Sequence, residues 1–402
     1  MSEFDKADTL HRLVKQLIDS GAAKTVAEAE AIFAGFRVAL VIADEAAKTS
    51  DGQIQLLTAI VLARRVFLGG VTVSGPLDQP LLAPLPYGDT LREAVCELGG
   101  KAGDAIDDLP TILIAGSVQP RRAGFCVRTL AAGWRGGIVA ADADVEIEGA
   151  TPMPLASMLA AALAINETFL HVSAAHSVAG RRQVGLSLWD PADVDWLIAP
   201  PVEPALAYLP SDLWLIGLGH LGQAYLWGLG LLPYAPVTKL KLVLQDIDII
   251  TPSTESTSVL SDAGLIGAKK TRAMAAWAEQ RGFETAICER RFDAGFTRRD
   301  DEPGVALCGL DNALGRRALD SVGFDLIVEA GLGRGHRNFR TMRLHVLPGT
   351  RPAIEIWRER EAPAAPATAP AYQDLLKRGE LDKCGMALLA GKAVGAPFVG
   401  AV

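Results

Sequence analysis

Cysteine is scarce in this sequence of 402 residues. The five cysteines are scattered, odd in number and never spaced as CxxC; they are Cys96, Cys126, Cys288, Cys308 and Cys384. This pattern indicates neither a disulfide framework nor a structural zinc site. We therefore expect the reducing cytoplasm as the compartment.

Long apolar runs and an excess of positive charge are also missing. No run of 18 uninterrupted apolar residues occurs, so we expect no membrane span. The N-terminal stretch MSEFDKADTLHRLVKQL is charged and lacks the apolar core and cleavage site of a signal peptide. The formal charge of −8 argues against a nucleic-acid partner, because nucleic-acid-binding surfaces are usually basic.

The length and the apolar content indicate two domains. Half of the residues are apolar, which is enough for a large core, and 402 residues exceed what one core usually supports. Strands alternate with helices in both halves, which is typical of α/β domains with mostly parallel sheets. We predict an N-terminal helical segment at 1–36, a first domain at 37–190, a Pro-rich linker at 191–210 and a second domain at 211–402.

The two halves correspond in order. VALVIAD (38–44) matches LWLIGLG (213–219), VTVSG (71–75) matches LVLQD (242–246), and ILIAGSVQPRR (112–122) matches ALCGLDNALGRR (306–317). This order predicts two Rossmann-like domains that form a pseudo-duplicated pair. A helix is expected between the strand at 110–116 and the apolar stretch GGIVAA at 136–141. The first half has no glycine triplet and no acidic residue after its second strand, so it resembles a copy without nucleotide chemistry.

Gly217, Gly219 and Gly222 form the motif GLGHLG between a strand and a helix. The first glycine allows a tight turn, the second lets phosphate approach the backbone, and the third lets helix and strand pack closely. The helix N-terminus attracts an anion. The motif alone indicates a nucleotide and leaves NAD, FAD and ATP open. His220 occupies a permissive position within it.

Charged residues after the next two strands favour ATP over a dinucleotide. Asp246 ends a strand, where a carboxylate can bind ribose hydroxyls. Asp248, Lys269 and Lys270 have no role in a dinucleotide fingerprint. An ATP site needs cations for the phosphates and a carboxylate for Mg²⁺, which the lysines and Asp311 can supply.

The motif order resembles the ubiquitin-activating superfamily, which includes the ThiF, MoeB and HesA proteins. The likeness rests on GLGHLG (217–222), DID (246–248), GAKK (267–270) and DNALGRR (311–317). It implies an ATP·Mg²⁺-binding adenylation domain at 211–402, with a crossover loop at about 355–383 and a degenerate, inactive counterpart at 37–190. The implied reaction is adenylation of the C-terminal carboxylate of a ubiquitin-like or other small carrier protein.

The resemblance also implies roles for single residues. Lys270 would contact the α-phosphate, Asp311 would hold Mg²⁺ through ATP, and Asp246 would hold the ribose. Arg316 would brace the site. Cys384 lies in a stretch where some family members carry a cysteine that accepts the acyl group as a thioester. A conjugating enzyme would then be a further partner.

The sequence departs from the family at its phosphate clamp. Thr254 and Thr257 stand where the family usually carries Asn and Arg, so hydroxyls replace an amide and a charge. Replacement charge can come from Lys269 or from Arg12, because superfamily members often lend an N-terminal arginine to the site. Otherwise the enzyme is slow or is a pseudoenzyme.

Two other functions remain open. An NAD- or FAD-dependent oxidoreductase explains the glycines and Asp246 but gives Asp248, Lys270 and Asp311 no role. A non-catalytic scaffold of the same fold explains the missing arginine. The fused first half can replace the usual second subunit, or the whole chain can form a homodimer.

Overall fold

The computed structural model describes residues 10–104, 108–120, 124–193, 195–235, 240–332 and 342–358. The chain forms two compact units. One contains Ile32–Leu209 together with Gly228–Pro233, and we call it the first-half unit. The other contains Pro210–Trp227 and the residues from Tyr234 onward, and it also includes the N-terminal residues up to Ala31. We call it the second-half unit.

The part of the chain up to residue 209 contains six described helices and seven strands. In chain order they are α1 (Arg12–Ser20), α2 (Val26–Ala34), β1 (Arg37–Ile42), α3 (Asp44–Ala47), α4 (Ser50–Val66), β2 (Gly70–Ser74), α5 (Leu91–Glu97), β3 (Lys101–Ala102), β4 (Thr111–Ile114), β5 (Cys126–Ala132), β6 (Arg135–Ala140), α6 (Pro154–Val172) and β7 (Val184–Ser187).

The first-half unit is built on a seven-stranded sheet of order β3-β2-β1-β4-β5-β6-β7. The first five strands in this order run parallel, and β6 and β7 are antiparallel to their neighbours. The prediction of a helix before residues 136–141 is wrong. The described residues there form β5, which turns back at Gly133 (φ 52°) into β6.

The apolar helix α6 is 19 residues long and meets the length and composition of a membrane span. Two-thirds of its most apolar window (67%) is buried inside the protein. It packs against α4, β5 and β6, as the core helix of an α/β unit does.

The residues predicted as a linker also pack on this unit. The Glu203 carboxylate accepts the backbone N–H of Trp134 at 2.9 Å, and it lies 3.3 Å from Nε of the fully buried Arg135. The first-half unit therefore extends to Leu209.

The remaining part of the chain contains the elements of the second sheet. They are β8 (Asp212–Ile216), α7 (His220–Leu231), β9 (Lys241–Gln245), α8 (Pro252–Glu255), a 3₁₀ turn (Ala263–Leu265), α9 (Lys270–Gln280), β10 (Glu284–Cys288), β11 (Val305–Cys308), α10 (Ala313–Arg317), β12 (Leu326–Leu332), β13 (Met342–Leu347) and α11 (Ala353–Ile356).

The second sheet repeats the order of the first. Its strands run β10-β9-β8-β11-β12-β13, and only β13 is antiparallel to its neighbour. Position by position, β3-β2-β1-β4-β5-β6 corresponds to β10-β9-β8-β11-β12-β13. The predicted fold class is confirmed: two Rossmann-like α/β domains with mostly parallel sheets form a pseudo-duplicated pair.

The N-terminal helix α1 belongs to the second-half unit. His11 caps it, since its Nδ1 accepts the N–H of Leu13 at 3.2 Å, and Gly21 ends it in the left-handed conformation. Leu13, Val14 and Ile18 are buried. The unit that carries the nucleotide motif is therefore assembled from both ends of the described chain.

Candidate functional site

The glycine loop joins β8 to α7 at the carboxyl edge of the second sheet. Gly217 adopts φ 82°, and its N–H donates to the carbonyl of Gln245 on the neighbouring strand. A Cβ on Gly222 would overlap the carbonyl of Gly217, so this position requires glycine for packing. A Cβ on Gly219 would meet open space. Gly217 thus forms the tight turn, Gly219 leaves space beside the backbone for a ligand, and Gly222 allows the start of α7 to pack closely on the loop.

Asp246, directly after β9, is hydrogen-bonded to the glycine loop. Its Oδ2 accepts the N–H of Leu218 inside the glycine loop at 2.7 Å, and its Oδ1 accepts the N–H of Asp248 at 2.8 Å. Only 9% of its side chain is exposed. The carboxylate therefore ties the glycine loop to the end of β9, and each oxygen keeps a second lone pair for a ligand hydroxyl.

Lys270 begins α9 and its ammonium points at the two aspartates. Its Nζ lies 3.2 Å from Oδ2 of Asp248 and 3.9 Å from Oδ2 of Asp246. The lysine side chain is 11% exposed, whereas that of Asp248 is 64% exposed. Backbone hydrogen bonds from Lys270 to Asp248 and from Ile250 to Ala268 hold the two segments side by side.

Among the described residues, and unlike Lys270, Lys269 forms no ion pair with either aspartate. Its Nζ donates to the carbonyl of Ile247 at 2.5 Å, and its charge acts on Glu289. Adjacent lysines therefore differ in role, and Lys270 is the one directed at the aspartates.

Thr254 and Thr257 lie on and after the short helix α8. The hydroxyl of Thr254 is 3.1 Å from that of Thr251, the residue that caps this helix. The hydroxyl of Thr257 donates to the carbonyls of Ser253 and Thr254, both at 3.4 Å, and the residue is buried. These hydroxyl groups already bond within the turn.

Arg12 lies beside this turn although 244 positions separate it from Ser256 in the sequence. Its backbone N–H donates to Oγ of Ser256 at 3.3 Å. The N-terminus of α1 is therefore docked next to Thr257, where the family arginine is missing.

Several charged side chains influence the pKa of His220 in the glycine loop. The residue is half-buried, and burial is the main cause that lowers its pKa. The carboxylate of Asp311 acts in the opposite direction. The cations of Arg12, Lys270 and Arg316 reinforce the lowering. Four residues predicted from distant parts of the sequence are thus near enough to influence one imidazole.

Asp311 follows β11 and is exposed. In the described part of the chain its carboxylate has no hydrogen-bond or ion-pair partner. Its neighbour Asn312 caps α10 by accepting the N–H of Gly315 at 2.7 Å. Arg316 donates from Nε to the carbonyl of Leu310 at 2.8 Å and so braces the segment that carries Asp311.

The donor set fits Mg²⁺ bound through a nucleotide. An exposed carboxylate is an oxygen ligand of the kind that Mg²⁺ prefers. Among the described residues, no group of three or more His, Cys, Asp or Glu side chains could hold a metal ion by itself. The ion would therefore take most of its ligands from phosphate oxygens and water, with Asp311 as the protein ligand.

The corresponding positions of the first-half unit lack these groups. After β1 the chain enters α3 with Asp44 and Glu45 in its first turn, which repels an anion. Gly75 occupies the position that corresponds to Asp246, and Ser117 the position that corresponds to Asp311.

Two predicted features cannot be compared with the structure. Cys384 and the crossover loop beyond residue 358 lie outside the described residues.

Comparisons with known proteins agree with the division into halves. The model of the BilD N-terminal domain matches residues 37–188, and the model of the BilD C-terminal domain matches residues 209–402. The bacterial E1-like protein BilD of Collimonas sp. (strain OK412) is 45% identical over 397 residues, covering 98% of this chain and 86% of that protein.

Solved structures match more distantly. The chain aligns with E. coli MccB, solved with ATP, at 14% identity and a TM-score of 0.26, over 31% of this chain and 38% of that one. It aligns with E. coli tRNA N6-threonylcarbamoyladenosine dehydratase, TcdA, at 14% identity and a TM-score of 0.25, over 31% of this chain and 52% of that one. The chain thus spans well under two-thirds of these two proteins.

The E1-like relative and the two domain models, which together match most of the sequence, confirm the resemblance to the ubiquitin-activating superfamily. The chain belongs to the BilD family of bacterial E1-like proteins.

Proposed function

We propose that this protein uses ATP and Mg²⁺ to adenylate the C-terminal carboxylate of a ubiquitin-like or other small carrier protein. A carboxylate oxygen of the carrier attacks the α-phosphorus of ATP, and pyrophosphate leaves. The observation that carries the proposal is the geometry at the glycine loop: Asp246 Oδ2 accepts the N–H of Leu218 at 2.7 Å, and the ammonium of Lys270 lies 3.9 Å from the same oxygen.

Each residue in the cluster has a chemical task in this reaction. The open side of Gly219 receives the phosphates, and Asp246 accepts the ribose hydroxyls. Lys270 lies 3.2 Å from the exposed Asp248 and leaves this carboxylate to bind the α-phosphate of ATP. Its ammonium then neutralises the charge that develops on the α-phosphate. Asp311 would hold Mg²⁺, which would supply charge neutralisation for the leaving pyrophosphate.

Arg12 supplies the charge that Thr254 and Thr257 lack. The backbone of Arg12 is bonded to Ser256, one residue from the position of the missing family arginine. A phosphate-clamping arginine contributes on the order of 10³–10⁵ in rate in related phosphoryl-transfer enzymes. An arginine from α1 can therefore restore a fully active site.

A protein substrate fits an exposed apolar face on β13. Met342, Leu344 and Val346 alternate along β13, the last strand in the described part of this sheet, and their exposures are 59%, 68% and 51%. Large apolar side chains exposed in a row are typical of protein-binding surfaces. The antiparallel pairing of β13 with β12 brings Met342 to the carboxyl edge of the sheet, where Asp311 also lies, so a carrier bound to this face can extend its C-terminus into the site.

Thioester formation after adenylation is a further proposed step. Burial raises the pKa of the Cys308 thiol to about 12, so this cysteine, three residues before Asp311, is unreactive at neutral pH. Burial also raises the pKa of Cys288. Cys384 stays the proposed acyl acceptor, with a conjugating enzyme as the next partner.

A non-catalytic scaffold is the second candidate. The observation that favours it is the internal bonding of Thr257, whose hydroxyl donates to two carbonyls of its own turn. In that case Arg12 would not act on a nucleotide.

Exchange of labelled pyrophosphate into ATP distinguishes these functions. We expect exchange that depends on Mg²⁺ and on a small protein with a free C-terminal glycine, and that is lost in Asp311→Ala. Asp300→Ala, which removes an exposed carboxylate elsewhere in the unit, should exchange normally. Tight NAD binding without exchange would indicate the oxidoreductase; ATP binding without exchange would indicate the scaffold.

A further inference from the structure

A buried carboxylate lies beneath the candidate site. Glu329, on β12, is 1% exposed and pairs in register with Cys308 of β11. Cys308 belongs to the apolar core cluster of the second-half unit, which also includes Ile216, Ile327 and Leu347. A glutamate is almost never fully buried unless charged or polar partners compensate for the loss of water.

One oxygen of Glu329 is hydrogen-bonded, and the other has only a charge contact and no hydrogen bond within the described residues. Oε1 lies 3.0 Å from Nε of Arg316, and Oε2 lies 2.8 Å from Nδ1 of His345 on the neighbouring strand β13. The single N–H on Nε of Arg316 is directed at the carbonyl of Leu310, so Arg316 and Glu329 interact mainly as charges.

Gly331 leaves room for this ion pair. A Cβ at Gly331 would lie 3.1 Å from Nη2 of Arg316 and 3.3 Å from Oε1 of Glu329. A Cβ there would therefore press on both groups, which would have to move by a few tenths of an ångström.

Arg316 connects the buried carboxylate to Asp311. The guanidinium holds the carbonyl of Leu310, and the side chain of Asn312 holds the first turn of α10 through Gly315. Asp311 lies between these two fixed residues, and its own carboxylate has no partner in the described part of the chain. The direction of its side chain therefore depends on the backbone on either side.

We propose that Glu329 is a positioning residue for the nucleotide site: it fixes Arg316, which fixes the carbonyl of Leu310 and so aims Asp311 at the Mg²⁺ of the bound nucleotide. The proposal rests on the proposed function and names a residue that does not touch the substrate. Removing one partner of a buried ion pair destabilises a protein, because the other charge is left without compensation. Glu329→Gln should therefore lower the melting temperature, and the evidence for positioning is a loss of affinity confined to Mg·ATP in a variant that is still folded.

The test compares nucleotide binding with and without Mg²⁺. For Glu329→Gln, which keeps the shape and loses the charge, we expect affinity for Mg·ATP to fall by about tenfold or more, as for the outer partners of other metal ligands. Affinity for ATP in EDTA should stay within twofold of the wild type. Isothermal titration calorimetry measures both, and Mn²⁺ paramagnetic resonance reports the metal directly.

A matched control is available in the first-half unit. Glu167 is also fully buried and ion-paired with an arginine, Arg182. Glu167→Gln makes the same chemical change away from the site and should leave both affinities unchanged. His345→Gln, which removes the other partner of Glu329 and spares Arg316, should lower Mg·ATP affinity less than threefold.

Gly331→Ala tests the same link without removing a charge. Its methyl group should displace the guanidinium by a few tenths of an ångström, and we expect a threefold to tenfold loss confined to Mg·ATP. The inference is overturned if Glu329→Gln and Gly331→Ala bind Mg·ATP as the wild type does, or if they lose ATP equally with and without Mg²⁺. If the wild type itself binds no ATP, the proposed function fails and the inference fails with it.

Discussion

The ammonium of Lys270 lies 3.2 Å from the carboxylate of Asp248. Lys270, the residue proposed to bind phosphate, is therefore paired with an aspartate whose side chain is mostly exposed to solvent. The exposed carboxylate of Asp248 can turn into solvent when a phosphate takes its place beside the buried lysine. The ion pair thus orients the Lys270 ammonium and still allows it to bind a phosphate.

Lys270→Ala should lower ATP–pyrophosphate exchange by a factor on the order of 10²–10³, the usual cost of removing one transition-state contact. Lys269→Ala is the matched control, because its ammonium is bonded to the carbonyl of Ile247 and not to a carboxylate of the site. Exchange rates are measured at saturating ATP. Equal effects of the two substitutions would contradict the assignment of Lys270.

Gly222→Ala and Gly219→Ala should separate folding from binding. A Cβ at Gly222 would overlap the carbonyl of Gly217, so we expect the free energy of unfolding to fall by about 1–3 kcal/mol. A Cβ at Gly219 meets open space, so stability should change by less than about 0.5 kcal/mol. The methyl group there would lie where phosphate approaches, and ATP affinity should fall at least tenfold.

Thermal unfolding and calorimetric titration with ATP measure these two effects. If Gly219→Ala binds ATP normally, then phosphate does not lie against the second glycine.

Arg12→Ala should reduce exchange by a factor on the order of 10³ if this arginine replaces the family clamp. Lys24→Ala removes an exposed cation from the same N-terminal stretch and should have no effect. Melting temperatures of both variants show whether α1 remains docked. Full activity of a well-folded Arg12→Ala variant would exclude a role for this residue.

Stability should fall as the solution is acidified below neutral pH. Folding lowers the pKa of His220 through burial, so the unfolded chain binds the proton more readily than the folded chain. The free energy of unfolding therefore decreases as pH falls through the unfolded-state pKa of about 6.5 toward the lower folded-state value. His220→Gln should flatten this dependence between pH 7.5 and 5.5.

His171 provides the comparison, because burial and Arg181 lower its pKa in the first-half unit. His171→Gln should flatten the same pH range without altering ATP affinity. Urea unfolding at several pH values measures both variants, and an unchanged slope in His220→Gln would show that this histidine does not resist protonation.

Cys384→Ala should abolish any reductant-sensitive adduct between this protein and its carrier, while exchange continues. Cys96→Ala is the control, since Cys96 is exposed and belongs to the first-half unit. Denaturing gels with and without thiol reveal the adduct. An adduct that survives in Cys384→Ala would assign the acyl group to another residue.

The core strands could be predicted from the sequence because they follow local patterns: β1, β2, β8 and β9 are short apolar runs. Asp246 directly follows β9, and Asp311 lies three residues after the end of β11. The hairpin of β5 and β6 was missed because Leu, Ala and Ala at 130–132 favour helix locally, and pairing with β4 decides otherwise.

Contacts between residues far apart in the sequence could not be predicted. Nothing local in the sequence indicates that Arg12 meets Ser256. Glu329 is recognisable in the sequence as an acidic residue within the apolar run DLIVEAGLG. Its partners Arg316 and His345, however, belong to two other elements. Such contacts follow from tertiary structure and cannot be read from periodicity.

The assembly of the second-half unit from both ends of the chain has a consequence for biosynthesis. From Ala31 to Leu209 the ribosome adds 178 residues (209 − 31) before the first strand of that unit is made. At the usual speed of translation this takes roughly 10–40 s. During that delay α1, with Leu13, Val14 and Ile18, has no partner to cover it, and it is a natural target for chaperones on the nascent chain.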